Sequence, residues 1–145
     1  MTKIQLKEYS LAEFENIEKV ISELFSIIAP GKSDYSNVER AAICTYVHNF
    51  YNGVENLIKR VLSFKGIIHK ETPTWHKDLL KLVLKTGLLD QELHDDLVDF
   101  LSFRHYFVHS YFFSIHWNEL KPLVEKLPRT FENTRATIFH FLENC

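Results

Sequence analysis

The sequence predicts an all-α protein, and three observations carry that reading. Apolar residues recur at spacings of three and four through nearly the whole chain, only four glycines and four prolines interrupt 145 residues, and two Ser-x-x-Glu capping boxes mark helix starts. No stretch alternates long enough to supply a sheet. The expected architecture is a four- or five-helix up-and-down bundle formed by one domain over residues 1–145.

Ser10 with Glu13 announces a first helix that carries Leu11, Phe14, Ile17, Val20, Ile21, Leu24, Phe25 and Ile28 to the Pro30-Gly31 stop, with the first nine residues extending or fraying it. Ser36 with Glu39 opens a second helix of about 30 residues, about 45 Å long, in which Gly53 is the sole glycine before Gly66. Cys44, Val47, Tyr51, Val54, Ile58 and Val61 form one stripe of it, and Ile43, Phe50, Leu57 and Phe64 a second, so this helix is the expected spine. Its remaining face carries His48, Asn52, Glu55 or Asn56, and Lys59, where Glu55 and Lys59 have the spacing of an i,i+4 ion pair.

Thr74 then caps a short helix with Trp75, Leu79, Leu80 and Val83, ended by Gly87. Asp90 caps a fourth helix with Leu93, Leu97, Phe100 and Leu101 inward. In the last segment Trp117, Leu120, Val124, Leu127, Phe131, Thr134, Ile138 and Phe141 keep register across Pro122 and Pro128, which predicts one helix bent or broken near a proline.

Composition narrows the function. Cys44 and Cys145 have neither metal-ligand spacing nor a disulfide framework, no apolar run approaches a membrane span, and the N-terminus lacks the pattern of a signal peptide. A cytoplasmic protein with no membrane partner is expected. A net charge of −2 argues against nonspecific coating of nucleic acid, yet its distribution is uneven. Lys59, Arg60, Lys65, Lys70, Lys77 and Lys81 face only Glu71 and Asp78 over residues 57–81, whereas five acids and no base fall between Asp90 and Asp99. The basic block is either an ordinary solvated face or an RNA track, for which Lys59, Arg60, Lys65, His76 and Lys77 are the candidate contacts.

The chemistry concentrates in FRHYFVHSYF, residues 103–112, where Arg104, His105, His109 and Tyr111 interrupt an apolar helical pattern. On a regular helix Arg104 and Tyr111 share a face, as do His105 and His109, but Arg104 and His109 diverge by about 140°. Either the helix distorts or ends near His109, or another element or a second subunit completes the site; the second subunit is favoured, because a phosphate between two copies meets two arginines and two histidines. Arginine clamps phosphodiesters and histidine carries protons near neutral pH, a combination suited to RNA cleavage through the substrate's own 2′-hydroxyl. There His109 acts as general acid or base, Arg104 stabilises the phosphorane, and Tyr111 donates to an oxygen or orients the histidine. Two other readings stay open at this level. His105 and His109 have zinc spacing without a third ligand, and the cluster is purely structural if Arg104 pairs with Asp95, Asp96 or Asp99. Spacing alone favours the structural one.

RHYFVHSY matches R-x4-H-x-Y and so resembles the signature of the HEPN superfamily, specifically the HepT-like toxin ribonucleases. FYNGVENLIKR at 50–60, TWHKDLL at 74–80 and the closing FSIHWNELKPLVEKLP resemble further segments of that family, in the same order from about residue 40 onward. One departure is His116, where the family carries an acid before the tryptophan. The resemblance implies a homodimer with both motifs at the interface and metal-independent endoribonuclease activity without a cofactor. It also implies a minimal nucleotidyltransferase-type antitoxin that modifies the motif tyrosine, here Tyr111, with AMP. Arg104, His109 and Tyr111 carry over as site residues, with His105 in the supporting polar position. The alternative is a non-catalytic HEPN module that binds a nucleotide or docks a nucleotidyltransferase; the intact Arg–His–Tyr set favours the ribonuclease.

Overall fold

The computed structural model describes residues 1–67 and 72–145, and among these there is no strand. Lys70 and Glu71 of the basic block lie outside the described residues. Five α-helices follow in order: α1 (Lys3–Ile27), α2 (Asn37–Phe64), α3 (Trp75–Lys85), α4 (Gln91–His109) and α5 (Trp117–Glu143), with a single 3₁₀ turn at Phe112–Ser114 between the last two. The fold is a helical bundle, as the apolar periodicity requires.

α2 is the spine and packs against every other helix and the 3₁₀ turn. Its capping box forms as expected: the Glu39 amide donates to the Ser36 hydroxyl at 3.1 Å, and the Glu39 carboxylate accepts from the Ser36 amide at 2.9 Å. Ile43, Cys44, Val47, Phe50, Tyr51, Val54, Leu57, Ile58 and Val61 are all buried, so both predicted stripes enter the core. Burial pushes the Cys44 thiol up to about 11, which leaves it an inert core side chain. Cys145 is exposed and likewise free.

The start of α1 corrects the sequence reading. A different box, Thr2 with Gln5, caps the helix through bonds of 3.1 and 2.9 Å, while Ser10 is buried inside α1 with its hydroxyl unpartnered. Leu6 is fully buried, so packing of the first turns carries the helix well ahead of the predicted cap. Thr74 is corrected too. It stands at the N-cap of α3 but makes no capping bond, its hydroxyl donating instead to the Asp78 carboxylate at 3.0 Å. Asp90 does cap α4, accepting from the Leu93 amide at 2.8 Å.

α5 contains Pro122 and Pro128 without a break. Leu120, Val124, Leu127, Phe131, Thr134 and Ile138 are buried along its whole length, and this continuous contact offsets the backbone bonds that the prolines remove. The buried Thr130 and Thr134 hydroxyls donate to the Lys126 and Thr130 carbonyls at 2.9 and 2.8 Å, so neither is left unsatisfied.

α1 meets α2 closely at Gly53, where an added Cβ would stand 2.7 Å from Ile17 Cγ1 and 2.9 Å from Ile17 Cδ1. Ile17 is itself buried and has little room to yield. Replacing Gly53 with alanine therefore sets a gain of up to about 1 kcal/mol in helix propensity against an overpacking cost of about 1–3 kcal/mol. Gly53→Ala should lower the urea midpoint without changing the slope of the transition; a midpoint above wild type would mean that α1 does not pack here.

Candidate functional site

The site is built where α2, α3 and α4 meet. His48, Tyr51 and Glu55 lie at i, i+3 and i+7 on α2 and so share one face, which is turned toward the other two helices. Glu55 is 3% exposed, a carboxylate inside the bundle. It accepts a 2.6 Å hydrogen bond from His76 Nδ1 of α3, the pairing that makes its burial tolerable. This replaces the expected Glu55–Lys59 pair. Lys59 instead places its ammonium 4.9 Å from the centre of the Trp75 ring, and Trp75 in turn lies against the His76 ring at 3.6 Å.

Beside this pair the Tyr51 hydroxyl is buried next to the Glu55 carboxylate without the geometry of a full hydrogen bond. Burial, then the Glu55 charge, pushes its pKa up, so Tyr51 stays a neutral phenol. His48 accepts from the Asn52 side-chain amide at Nε2, 3.1 Å away, and packs its ring 5.2 Å from that of Phe107 on α4. Its pKa is held below the ordinary 6.5 by burial first, then by the positive charges of Arg104 and His76.

Arg104, a helical turn before Phe107, reaches the same junction. Its Nε is buried without a partner, and no ion pair to its guanidinium exists among the described residues. The acids that a structural Arg104 would use are engaged elsewhere. Arg129 Nη2 lies 3.1 and 3.2 Å from the two Asp96 oxygens, Lys126 bridges Asp96 and Asp99, and Asp95 accepts from Gln91 and His94. An unpaired arginine at the wall of a cavity is a receptor for an external anion. That cavity, of about 690 Å³, runs between α3 and α4 and is lined by His76, Lys77 and Lys81 on one side and by Leu101, Arg104 and His105 on the other.

The basic block thus divides. His76 and Lys77 line the cavity with Arg104, and Lys59 stands behind His76 across Trp75. Arg60 stacks on Tyr9 of α1 at 4.5 Å, and Lys65, over the Phe141 ring, lines a separate cavity beside α5. A single track through Lys59, Arg60, Lys65, His76 and Lys77 is not what the fold brings together, because helical rotation along α2 turns successive basic residues to different neighbours.

α4 ends at His109, and Ser110 and Tyr111 are extended. His105 and His109 form an edge-to-face ring pair with centroids 4.8 Å apart. Among the described residues no group of three or more His, Cys, Asp or Glu has a metal-site arrangement. The helix end overturns the expectation that Tyr111 shares Arg104's helical face. Tyr111 is 73% exposed and stacks on Phe113 with ring centroids 5.2 Å apart and planes 5° from parallel, which also excludes a core role for it. The segment is pinned at its far end by Ile115, fully buried against the bundle, and the Glu119 carboxylate accepts from the His116 amide at 3.2 Å to start α5.

A family model described as HepT-like protein matches residues 42–145, from the first turns of α2 to the end of α5. The chain belongs to the HepT-like family. No curated protein and no solved structure matches it. No helix of this HepT-like chain, among the described residues, is long and apolar enough to cross a membrane. α1 precedes the matched region and packs on α2, while α3, α4 and the cavity between them lie within the matched residues.

The depressed His48 pKa has a measurable consequence. A base whose folded pKa lies below its unfolded value binds more protons when unfolded, so stability rises with pH across that interval and is lost as pH falls from about 6.5 toward the folded value. The thermal midpoint should decline between about pH 7 and about pH 5, and His48→Gln should flatten that part of the profile. Parallel profiles for variant and wild type would show that His48 is not held neutral.

Proposed function

We propose that this chain is a metal-independent endoribonuclease, the toxin of a toxin–antitoxin pair, that cleaves RNA by attack of the substrate's 2′-hydroxyl. The observation that carries the reading is Arg104: a guanidinium without an ion-pair partner among the described residues, set in the wall of a nucleotide-sized cavity with histidines beside it. In this scheme the 2′-oxygen bonds to phosphorus and the P–O5′ bond breaks, leaving a 2′,3′-cyclic phosphate and a 5′-hydroxyl. Arg104 stabilises the negative phosphorane, His109 transfers a proton, and His105 supports His109 through the ring contact. The nucleophile belongs to the substrate and the compensating charge to Arg104, so the scheme calls on no metal or cofactor.

A two-fold homodimer completes the site. Its support is the apolar surface at the motif end of α4, where Tyr106, Val108, Tyr111, Phe112 and Phe113 are all exposed. Isolated exposed apolar residues are ordinary, but five within eight positions beside the site form the kind of patch that partners cover. Tyr111 is the handle for control. Its exposed hydroxyl is open to a nucleotidyltransferase antitoxin, which would transfer AMP from ATP with loss of pyrophosphate and tether an anion at the motif end of α4.

Total RNA incubated with the protein in EDTA should yield fragments ending in 2′,3′-cyclic phosphate. Arg104→Ala and His109→Ala should each reduce cleavage by about 10²-fold or more while leaving the melting curve intact. A wild-type protein that leaves RNA whole would favour a nucleotide-binding or docking module instead. Light scattering at micromolar concentration should return twice the chain mass; a monomer would remove the composite site. After co-expression with the nucleotidyltransferase, intact mass should rise by one or more AMP units, and Tyr111→Phe should abolish the increase while retaining some cleavage.

A further inference from the structure

One feature of the junction is unused by the scheme above: the Glu55–His76 pair. A carboxylate 3% exposed is costly to bury, and α2 pairs one here with an imidazole across the helix boundary. His76 is fixed twice, by the 2.6 Å bond to its Nδ1 and by the Trp75 ring against its face. With Nδ1 donating to Glu55, Nε2 is the nitrogen left to meet a ligand, and His76 lines the cavity that Arg104 and His105 line from the other side. A side chain held this rigidly at a cavity wall, with its tautomer set by a buried acid, has the construction of a proton carrier.

Resting on the ribonuclease reading, we propose that His76 is the second catalytic residue of this site: the general acid that protonates the departing 5′-oxygen, with Glu55 as its positioning residue. In-line displacement needs two proton carriers on opposite sides of phosphorus, one taking the proton of the 2′-hydroxyl and one giving a proton to the leaving oxygen. His109 at the end of α4 takes the first part and His76, which lines the same cavity as Arg104, the second, with Arg104 on the phosphate. The imidazolium of His76, paired with the Glu55 carboxylate, gives its Nε2 proton as the P–O5′ bond breaks; after the 5′-hydroxyl product leaves, solvent restores that proton and takes up the one His109 accepted. The nucleotide on the leaving side then occupies the α3–α4 cavity, where Lys77 and Lys81 face its next phosphate.

Leaving-group chemistry tests this assignment. A general acid is needed for an alkoxide leaving group and not for 4-nitrophenolate, so wild type, His76→Gln, Glu55→Gln and His109→Ala are assayed on RNA and on nucleoside 3′-(4-nitrophenyl) phosphates of all four bases. His76→Gln should lose about 10²-fold on RNA and nearly regain the wild-type rate on the aryl esters. Glu55→Gln should show the same pattern to a smaller degree, and His109→Ala should remain impaired on both substrates. Equal losses of His76→Gln on the two substrates, or no loss on RNA, overturn the assignment while leaving the ribonuclease standing. Wild-type protein inert toward both substrates removes the ribonuclease and this proposal together. The amide introduced by His76→Gln can still donate to Glu55, and the near-wild-type aryl-ester rate expected of it is attainable only by folded protein, so the comparison is decisive even if Glu55→Gln does not fold.

Discussion

The structure depends on α2 being enclosed on nearly every side. Thr45, Asn49, Arg60 and Ser63 of α2 still reach water, but the polar residues on its packed faces must be satisfied by whatever neighbour its rotation presents. Apolar positions meet this demand by packing, at Gly53 so closely that only a hydrogen fits. Of its buried polar side chains, Glu55 meets it through His76 on α3 and His48 through Asn52 on α2 itself, while the Tyr51 hydroxyl stays without a full hydrogen bond. The Glu55 carboxylate requires His76, which draws the start of α3 onto the spine.

Against this packing, Arg104 is the exception that defines the site. The charges of α4 and α5 neutralise one another through Asp96, Asp99, Lys126 and Arg129, an arrangement that leaves the seam between those helices electrically balanced. One turn and a half beyond it the balance stops. Arg104 contributes positive potential to a cavity whose opposite wall adds Lys77 and Lys81, and low-dielectric walls concentrate that potential on whatever anion enters. The net acidity of the chain therefore says little about the local field.

The all-helical class, the extent of α2 and the continuity of α5 were legible because periodicity and capping are local signals. The Thr2–Gln5 box was equally visible, but a box so near the start competes with Ser10–Glu13 and only the burial of Leu6 decides between them. The motif residues stood out by their chemistry, and their failure to share a face left the end of α4 near His109 as one open outcome beside a second subunit, which was favoured. What stayed hidden was pairing across helices. Glu55 and His76 are 21 residues apart, and intrahelical spacing pointed Glu55 toward Lys59 instead. The stripe His48–Tyr51–Glu55 held a usable signal: an acid and an imidazole flanking a tyrosine on one face of an otherwise apolar helix imply a buried polar cluster. Assigning that tyrosine to the apolar stripe and its neighbours to a solvated face concealed it.

The segment that carries Tyr111 is short and fixed at both ends, by the helix at His109 and by buried Ile115. A hydroxyl on such a tether is exposed yet has nowhere to go: five intervening residues span at most about 20 Å even when fully drawn out. Any group attached to it becomes an intramolecular ligand for the neighbouring surface, present at an effective concentration on the order of millimolar whatever the protein's own dilution. Contacts too weak to hold a free nucleotide would then suffice to keep the site filled, and occupancy would no longer follow the cellular supply of that nucleotide.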